Sequence, residues 1–287
     1  MRARFEEKTY ENYFNNELDQ LSDVYFPLGQ VQEGGLGFDA SSFSRNRRLW
    51  RRLGHPFWFF PPFRGLELRE IAAEMEHFLE IELDHIPTMK ANLLFQYKRP
   101  EYITSQLGSE WNHWNQEYFR YNIYQDQQEL LMHIHTTFNS RVLVLYAAPA
   151  VQDVNELVRI HLNRQVIDYS NFKRAADLNG HHRNTYIQAG TFSIACSEPT
   201  KIDNLNLIES LKTIGNDENT KNNRNFIIDF RKQITSLIYE YPYLSDSFRK
   251  LNETISKVEQ YELFYSFLVM SNFKQLTGIQ WIVKTLS

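Results

Sequence analysis

The chain has 287 residues, of which 42% are hydrophobic and 23% are charged, and its formal net charge is −4. This composition is typical of a folded protein with one large domain or two modest ones, and it excludes a polycation that binds nucleic acid over its whole surface. The single cysteine, Cys196, excludes an internal disulfide and a cysteine-rich zinc module.

The N-terminal part predicts a helix followed by a β-hairpin. Aromatic residues and leucines recur at helical spacing over Glu6–Leu21, and Asp23–Gln32 is then predicted as a strand. The turn Glu33–Gly35 leads into a second strand, Leu36–Ser41, which carries Asp39.

A basic and aromatic segment separates this hairpin from the next core strand. Arginines cluster over Arg45–Arg52, an aromatic and proline block follows over His55–Phe63, and an acidic helix is predicted over Leu66–Leu79. The apolar strand Ala91–Lys98 comes next. We therefore interpret residues 43–83 as an insertion between two core strands.

The later elements alternate between helix and strand, which predicts a mixed α/β fold. We expect residues 1–200 to form one α/β domain, and residues 201–287 to form a helical region that contains a polar connection over 216–225. The expected helices are Tyr118–Phe138 (with a Gln-rich polar face), Val154–Leu162 and several helices over Phe226–Leu286. The expected strands are Arg141–Ala148, Ile167–Tyr169 and Tyr186–Cys196.

Two polar residues near the end of the strand Ala91–Lys98 indicate chemistry. Gln96 and Lys98 share one face, because the side chains of a strand alternate with period two. Asp39 adds an acid on the strand after the Gly-rich turn. A carboxylate and an amide oxygen can hold a hard cation, and a nearby lysine can meet an attacking water or a phosphate charge. A metal-dependent phosphodiesterase needs this set of groups.

The order of helix, hairpin, Asp39 and Gln-x-Lys resembles the PD-(D/E)XK nuclease superfamily, in the branch in which glutamine replaces the second acid. The resemblance covers roughly residues 11–148 and implies a restriction-endonuclease-like mixed sheet flanked by helices. It further implies that Asp39 and Gln96 bind Mg²⁺, with Mn²⁺ as an alternative. By the same resemblance, Lys98 orients and helps deprotonate the attacking water and counters the charge of the transition state.

The resemblance also implies an acid on the first helix that turns toward the metal. Glu17 is the first choice for this acid, Glu11 is the second, and Glu33 could also approach the metal. Two features depart from the family pattern. Leu36-Gly37-Phe38 stands where the family has a proline before the aspartate, and the neutral glutamine leaves the site with one carboxylate fewer.

Two further segments are candidates for contact with nucleic acid. Arg45, Arg48 and Arg52 could neutralise phosphates beside aromatics that stack on bases, although the same segment suits a partner interface or a solvated helix face. The polar loop with His181 and His182 could touch a phosphate or a base, or could be a hydrogen-bonded turn.

Other metal and nuclease motifs are weaker. Asp84-His85 resembles the opening of an HNH motif, but the long loop with an asparagine does not follow, which favours a turn before a strand. His133 and His135 would point to different sides of a helix, which argues against zinc. Cys196 lies in an apolar strand, where packing is its expected role.

The resemblance therefore implies an endonuclease for DNA, with RNA as an alternative, that acts in bacterial restriction or anti-phage defence. It also implies a homo-oligomer or a complex with a regulatory ATPase-type partner. Two rivals stay open: a nuclease-fold protein that binds nucleic acid without cutting it, and a module that assembles a larger machine. The charged N-terminal residues and the lack of a long apolar run predict a cytoplasmic protein without a membrane partner.

Overall fold

The computed structural model describes residues 2–26, 68–215 and 222–286. These residues form two compact units. The first unit contains residues 2–25, 90–215 and 277–284, and the second contains residues 26, 68–89, 222–276 and 285–286. Within these ranges no helix is long and apolar enough to cross a membrane.

The described residues contain helices of four to 18 residues and strands of two to nine residues. The helices are α1 Glu7–Leu21, α2 Leu68–His85, α3 Trp111–Trp114, α4 Gln125–Phe138, α5 Val154–Leu162, α6 Leu207–Thr213, α7 Asn223–Tyr239, α8 Pro242–Ile255 and α9 Glu262–Thr277. The strands are β1 Val24–Tyr25, β2 Met89–Tyr97, β3 Glu101–Ile103, β4 Tyr118–Asn122, β5 Val142–Pro149, β6 Ser170–Arg174, β7 Arg183–Tyr186, β8 Phe192–Cys196, β9 Thr200–Asp203 and β10 Ile279–Thr285.

A mixed sheet with the order β1-β10-β2-β5-β6 lies at the centre of the first unit. The strands β2 and β5 run parallel, with Gln96 opposite Tyr146, and the chain passes through α4 between them. A helix is the usual connection between neighbouring parallel strands, because the chain must return to the same end of the sheet. Both strands are apolar along almost their whole length, as buried parallel strands require.

Helix α1 covers this sheet with one aromatic stripe. Tyr10, Phe14 and Leu18, spaced four residues apart, are fully buried. The ring of Phe14 packs 5.4 Å from that of Phe95 on β2, measured between centroids. The hydroxyl of Tyr97 donates a 2.5 Å hydrogen bond to Oδ1 of Asn15. The burial of each large apolar side chain contributes about 1.5–3 kcal/mol, so this stripe fixes α1 on the sheet.

A second sheet of the first unit is antiparallel throughout and has the order β3-β4-β7-β8-β9. A buried carboxylate, Glu110, stabilises it by accepting hydrogen bonds from Tyr118, Arg120 and Arg183. The side chain of Tyr186 joins the two sheets, because its hydroxyl donates a 3.0 Å hydrogen bond to the carbonyl of Pro149 on β5.

The second unit is helical in its described part. Glu76 on α2 accepts backbone N–H groups from Leu263 and Phe264 in the first turn of α9, at 3.2 and 2.8 Å. Arg224 on α7 adds a 2.9 Å ion pair to the same carboxylate. A negative charge at a helix N-terminus is favourable, so Glu76 both caps α9 and ties it to α2 and α7.

The described residues confirm the mixed α/β class and most predicted elements. Helix α5 has the predicted bounds, and α1, β2 and β5 lie within two residues of theirs. The prediction for Tyr186–Cys196 was wrong in that two strands, β7 and β8, stand there with a turn between them. Likewise Ser170–Arg174, rather than Ile167–Tyr169, forms the strand β6.

Two predicted helices were wrong over part of their length. The segment Tyr118–Asn122 is a strand, because its alternating aromatic residues pair with β7 across the second sheet. The C-terminal helix ends at Thr277, because Gly278 takes the left-handed backbone (φ +71°) that stops a helix. The β-branched residues of Ile279–Thr285 then form β10 beside β2.

Candidate functional site

Gln96 is the second-last residue of β2, and Lys98 directly follows the strand. One more backbone hydrogen bond extends the pairing of β2 with β5 to Lys98. The backbone N–H of Lys98 donates a 2.9 Å hydrogen bond to the carbonyl of Ala147 on β5. Both side chains are buried, with 5% of Gln96 and 8% of Lys98 exposed. The strand end therefore carries two polar side chains into the interior, where each needs a partner.

Gln127 on α4 is the partner of both side chains. The Nζ of Lys98 donates a 2.7 Å hydrogen bond to Oε1 of Gln127, and Nε2 of Gln127 donates a 2.7 Å hydrogen bond to Oε1 of Gln96. Lysine can only donate, so the oxygen of Gln127 must face Lys98 and its nitrogen must face Gln96. Gln96 and Lys98 are thus joined through one amide group, which we call the Gln127 bridge.

Two aromatic rings and one acid complete the surroundings of Lys98. Its Nζ lies 5.2 Å from the ring centroid of Tyr124, which precedes α4, and 5.4 Å from that of Tyr146 on β5. Burial lowers the pKa of Lys98 to about 8, and the charge of Glu7 on α1 acts in the opposite direction. The amine therefore keeps its charge at neutral pH in a confined site.

The acid whose charge acts on the pKa of Lys98 is Glu7, which the sequence did not single out. Burial raises the pKa of Glu7, while Lys98 and a hydrogen bond from the backbone N–H of Arg99 lower it. That hydrogen bond, 3.1 Å long, ends on Oε2 of Glu7. Glu7 thus ties the first turn of α1 to the chain just after the Gln-x-Lys strand.

Glu17, the predicted metal acid of the first helix, has other partners. Its two carboxylate oxygens accept the backbone N–H groups of Val166 and Ile167, at 2.8 and 3.0 Å. Its alternative, Glu11, is buried and lies 3.7 Å from Nζ of Lys8. The described contacts give Glu17 a role in holding the turn before β6, and they do not bring it to Gln96 or Lys98.

The fit of a divalent cation depends on which oxygens face the site. Gln96 fits, because an amide oxygen is an accepted ligand of a hard cation and keeps a second lone pair beside its bond to Gln127. The contacts of Glu17 are instead with the backbone of Val166 and Ile167, and no described contact brings it to Gln96. The described ranges hold no group of three His, Cys, Asp or Glu side chains suited to a metal. Asp39 and Glu33 lie outside the described residues.

The loop with His181 and His182 approaches the site through the backbone. The carbonyl of His182 accepts a 2.8 Å hydrogen bond from the N–H of Ile123, the residue before Tyr124. The exposed ring of His182 shares a 2.9 Å hydrogen bond between its Nδ1 and Oγ of Ser197. Burial lowers the pKa of His181, whose Nδ1 has no hydrogen-bond partner among the described residues. The structure therefore places this loop beside Tyr124.

The remaining predicted candidates are not part of this site. Arg45, Arg48 and Arg52 lie outside the described residues. His85 is the last residue of α2, and its Nδ1 lies 2.7 Å from the carbonyl of Ile81, so a helix end stands where a turn was expected. Cys196 is buried in β8, and burial raises the pKa of its thiol, as packing implies.

Gln127, Tyr124 and Glu7 are the site residues that the sequence did not reveal. The only signal for Gln127 was the Gln-rich face of the helix after the Gln-x-Lys strand. The same helix also carries Gln125, which bonds to Glu129, and Gln128, which donates to the carbonyl of Ala175 and accepts from the hydroxyl of Tyr146. No family model, no curated protein and no solved structure matches the chain.

Proposed function

We propose that this protein is a metal-dependent nuclease that hydrolyses phosphodiester bonds in DNA. The observation that carries the proposal is the buried amine of Lys98, held with the amide oxygen of Gln96 by the Gln127 bridge at the end of β2. A buried cation beside an oxygen ligand is suited to a phosphodiester, whose transition state gathers negative charge on its oxygens.

The order of the elements supports the same proposal. Helix α1 precedes the Gln-x-Lys strand β2, as the nuclease resemblance implies, and helix α4 and the strand β5, parallel to β2, come later in the chain, after β3, α3 and β4. Fold alone does not fix an activity, so the side chains at this strand end carry the functional part of the proposal.

Each proposed role belongs to a named residue. Gln96 and Asp39 would hold Mg²⁺ or Mn²⁺, which when bound supplies Lewis-acid stabilisation of the phosphate. Lys98 would orient the attacking water and stabilise the charge of the transition state. Tyr124 lies beside Lys98, and the loop with His182 bonds to the residue before Tyr124; both would contact the nucleic acid.

The biological setting follows from the resemblance alone. Nucleases of this branch serve bacterial restriction and anti-phage defence, so we place the protein in the cytoplasm with DNA as its substrate and RNA as an alternative. A regulatory ATPase-type partner or self-association would keep it idle until infection.

One observation favours a second candidate, a nuclease-fold protein that binds nucleic acid without cutting it. Among the described residues Gln96 is the sole proposed metal ligand that faces Lys98, and it is neutral. A site with one carboxylate fewer holds a divalent ion more weakly. Salt-sensitive binding of DNA without cleavage would mark this alternative.

Cleavage by the purified chain tests the proposal. Supercoiled plasmid and single-stranded DNA are incubated with Mg²⁺, with Mn²⁺ and with EDTA, using wild type, Asp39→Ala and Lys98→Ala. We expect cutting that needs the metal and is lost in both variants. Cutting that survives both substitutions would reject the site, and a folded wild type that binds DNA without cutting it would favour the second candidate.

A further inference from the structure

Tyr124 presents an aromatic ring to solvent beside the candidate site. It is 60% exposed, more than any other tyrosine in the described ranges. The Nζ of Lys98, a residue that is 8% exposed, lies 5.2 Å from the centroid of this ring. The ring therefore extends from the neighbourhood of a buried amine to the surface, where a ligand can reach it.

The backbone that carries this ring is held on both sides. The carbonyl of Tyr124 accepts a 2.9 Å hydrogen bond from the N–H of Gln128, as α4 begins. The preceding residue, Ile123, is buried, and its N–H donates a 2.8 Å hydrogen bond to the carbonyl of His182. The attraction between the amine of Lys98 and the ring restrains the side chain as well. A ring that is held in this way loses little further freedom when a ligand binds to it.

The described contacts of the amine are with neutral groups. Its Nζ donates to the amide oxygen of Gln127 and lies near the rings of Tyr124 and Tyr146. A positive charge among neutral groups favours an anionic ligand, and a phosphodiester is one. An aromatic ring next to such a charge adds a flat apolar surface. The two together match a nucleotide, which has a phosphate and, one sugar away, a flat base.

A base can lie on the ring only if its own face is free. Inside a duplex the neighbouring base pairs cover both faces of each base, so a base must be unpaired or taken out of the stack first. Every base has such a face, so stacking on an aromatic side chain tolerates any sequence. A ring that is exposed at the surface therefore favours a single strand over a duplex.

We infer that Tyr124 stacks on an unpaired base and so directs this site to single-stranded DNA. The inference rests on the proposed function, which makes DNA the ligand, and it adds the strand state of that ligand. Tyr124 is a binding residue, while the phosphate beside the stacked base meets Lys98.

Binding of three matched ligands tests the inference, measured by fluorescence anisotropy in EDTA so that no strand is cut. The ligands are a short single strand of mixed sequence, the same strand in a duplex, and an abasic strand of equal length, which keeps the phosphates without the bases. We expect Tyr124→Leu to bind the single strand about tenfold more weakly than wild type does. Its affinities for the duplex and for the abasic strand should stay within about twofold of wild type, because neither ligand offers a free base face.

Two conservative variants and one control complete the test. Tyr124→Phe and Tyr124→Trp keep an aromatic face, so they should bind the single strand within about twofold of wild type. Tyr243→Leu makes the same change at another exposed tyrosine, 52% exposed at the start of α8, and should bind as wild type does. Thermal unfolding verifies that each variant is folded.

The outcomes separate this inference from the nuclease proposal. Equal losses of Tyr124→Leu for all three ligands, no loss for the single strand, or a wild type that binds none of them would overturn the inference. A wild type that cuts plasmid DNA in such a case leaves the nuclease proposal intact. A wild type that binds the single strand through Tyr124 but cuts no DNA would support the inference and reject the nuclease proposal.

Discussion

The amine of Lys98 donates a 2.7 Å hydrogen bond to the side-chain oxygen of Gln127, across the gap between the end of β2 and the helix α4. The helix belongs to the connection between two parallel strands, so this contact links the end of one core strand to the helix that leads to the next. The chemistry of the site is therefore coupled to the core of the fold.

Glu17 is expected to contribute to stability rather than to metal binding. Glu17→Ala leaves the buried N–H groups of Val166 and Ile167 without their acceptor, which we expect to cost about 2–4 kcal/mol. Urea unfolding measures this loss, and Asp19→Ala, on the exposed face of the same helix, should change stability by about 0.5 kcal/mol or less. Weaker Mn²⁺ binding by folded Glu17→Ala would contradict this prediction and would mean that Glu17 contributes to the metal site.

Gly278 is expected to be required for its backbone conformation. With φ at +71°, Gly278→Ala strains the chain by about 1–2 kcal/mol, although the new methyl group would have ordinary contact distances to Gln96. Gly190→Ala is the control, because a β-carbon there meets nothing within 4 Å. Chemical denaturation of the two variants should show a loss for the first alone. Equal stabilities would contradict the assigned conformation.

The buried Lys173 is expected to make the free energy of unfolding increase as the pH rises. This fully buried lysine donates to the carbonyl of Asp203, and burial lowers its pKa to about 8 from an ordinary value of 10.5. Between these values the unfolded chain holds a proton that the folded chain has released, so stability increases as pH rises. The gain is at most about 3 kcal/mol.

Lys173→Met is expected to remove this dependence. Denaturation of wild type and variant between about pH 8 and pH 10 gives the difference in slope, in which the contributions of all other titrating groups cancel. The same slope in both proteins would mean that Lys173 stays charged in the folded state.

The sequence was sufficient for elements whose apolar spacing is long and regular. Helix α1 follows from its helical periodicity, and the strands β2 and β5 follow from their continuous apolar runs. Gln96 and Lys98 both bond to the side chain of Gln127, which accords with the alternation of side chains along a strand. Strand β10 was missed, because the sequence does not show that Gly278 ends the helix before it. An aromatic-rich segment such as Tyr118–Asn122 is compatible with a helix or a strand, and its pairing with another strand decides between them.

The partners within the site could not be read from sequence spacing. Helix α4 carries Gln125, Gln127 and Gln128 within one turn, and only the packing of the helix decides that Gln127 faces Lys98. The acids of α1 pose the same problem, because only the packing of the helix decides that Glu7 acts on Lys98 and that Glu17 bonds to the turn before β6. Such choices depend on tertiary contacts between elements far apart in the chain.

The most direct test of the central claim compares the two buried lysines whose pKa values are lowered to about 8, Lys98 and Lys173. Cleavage of plasmid DNA with Mg²⁺ is measured for Lys98→Met and Lys173→Met, each corrected for its folded fraction. We expect Lys98→Met to lose about 100–1,000-fold in rate, as removal of one charge-stabilising group does, while Lys173→Met cuts as wild type does. Equal rates for the two variants would contradict the assignment of Lys98 as the catalytic lysine.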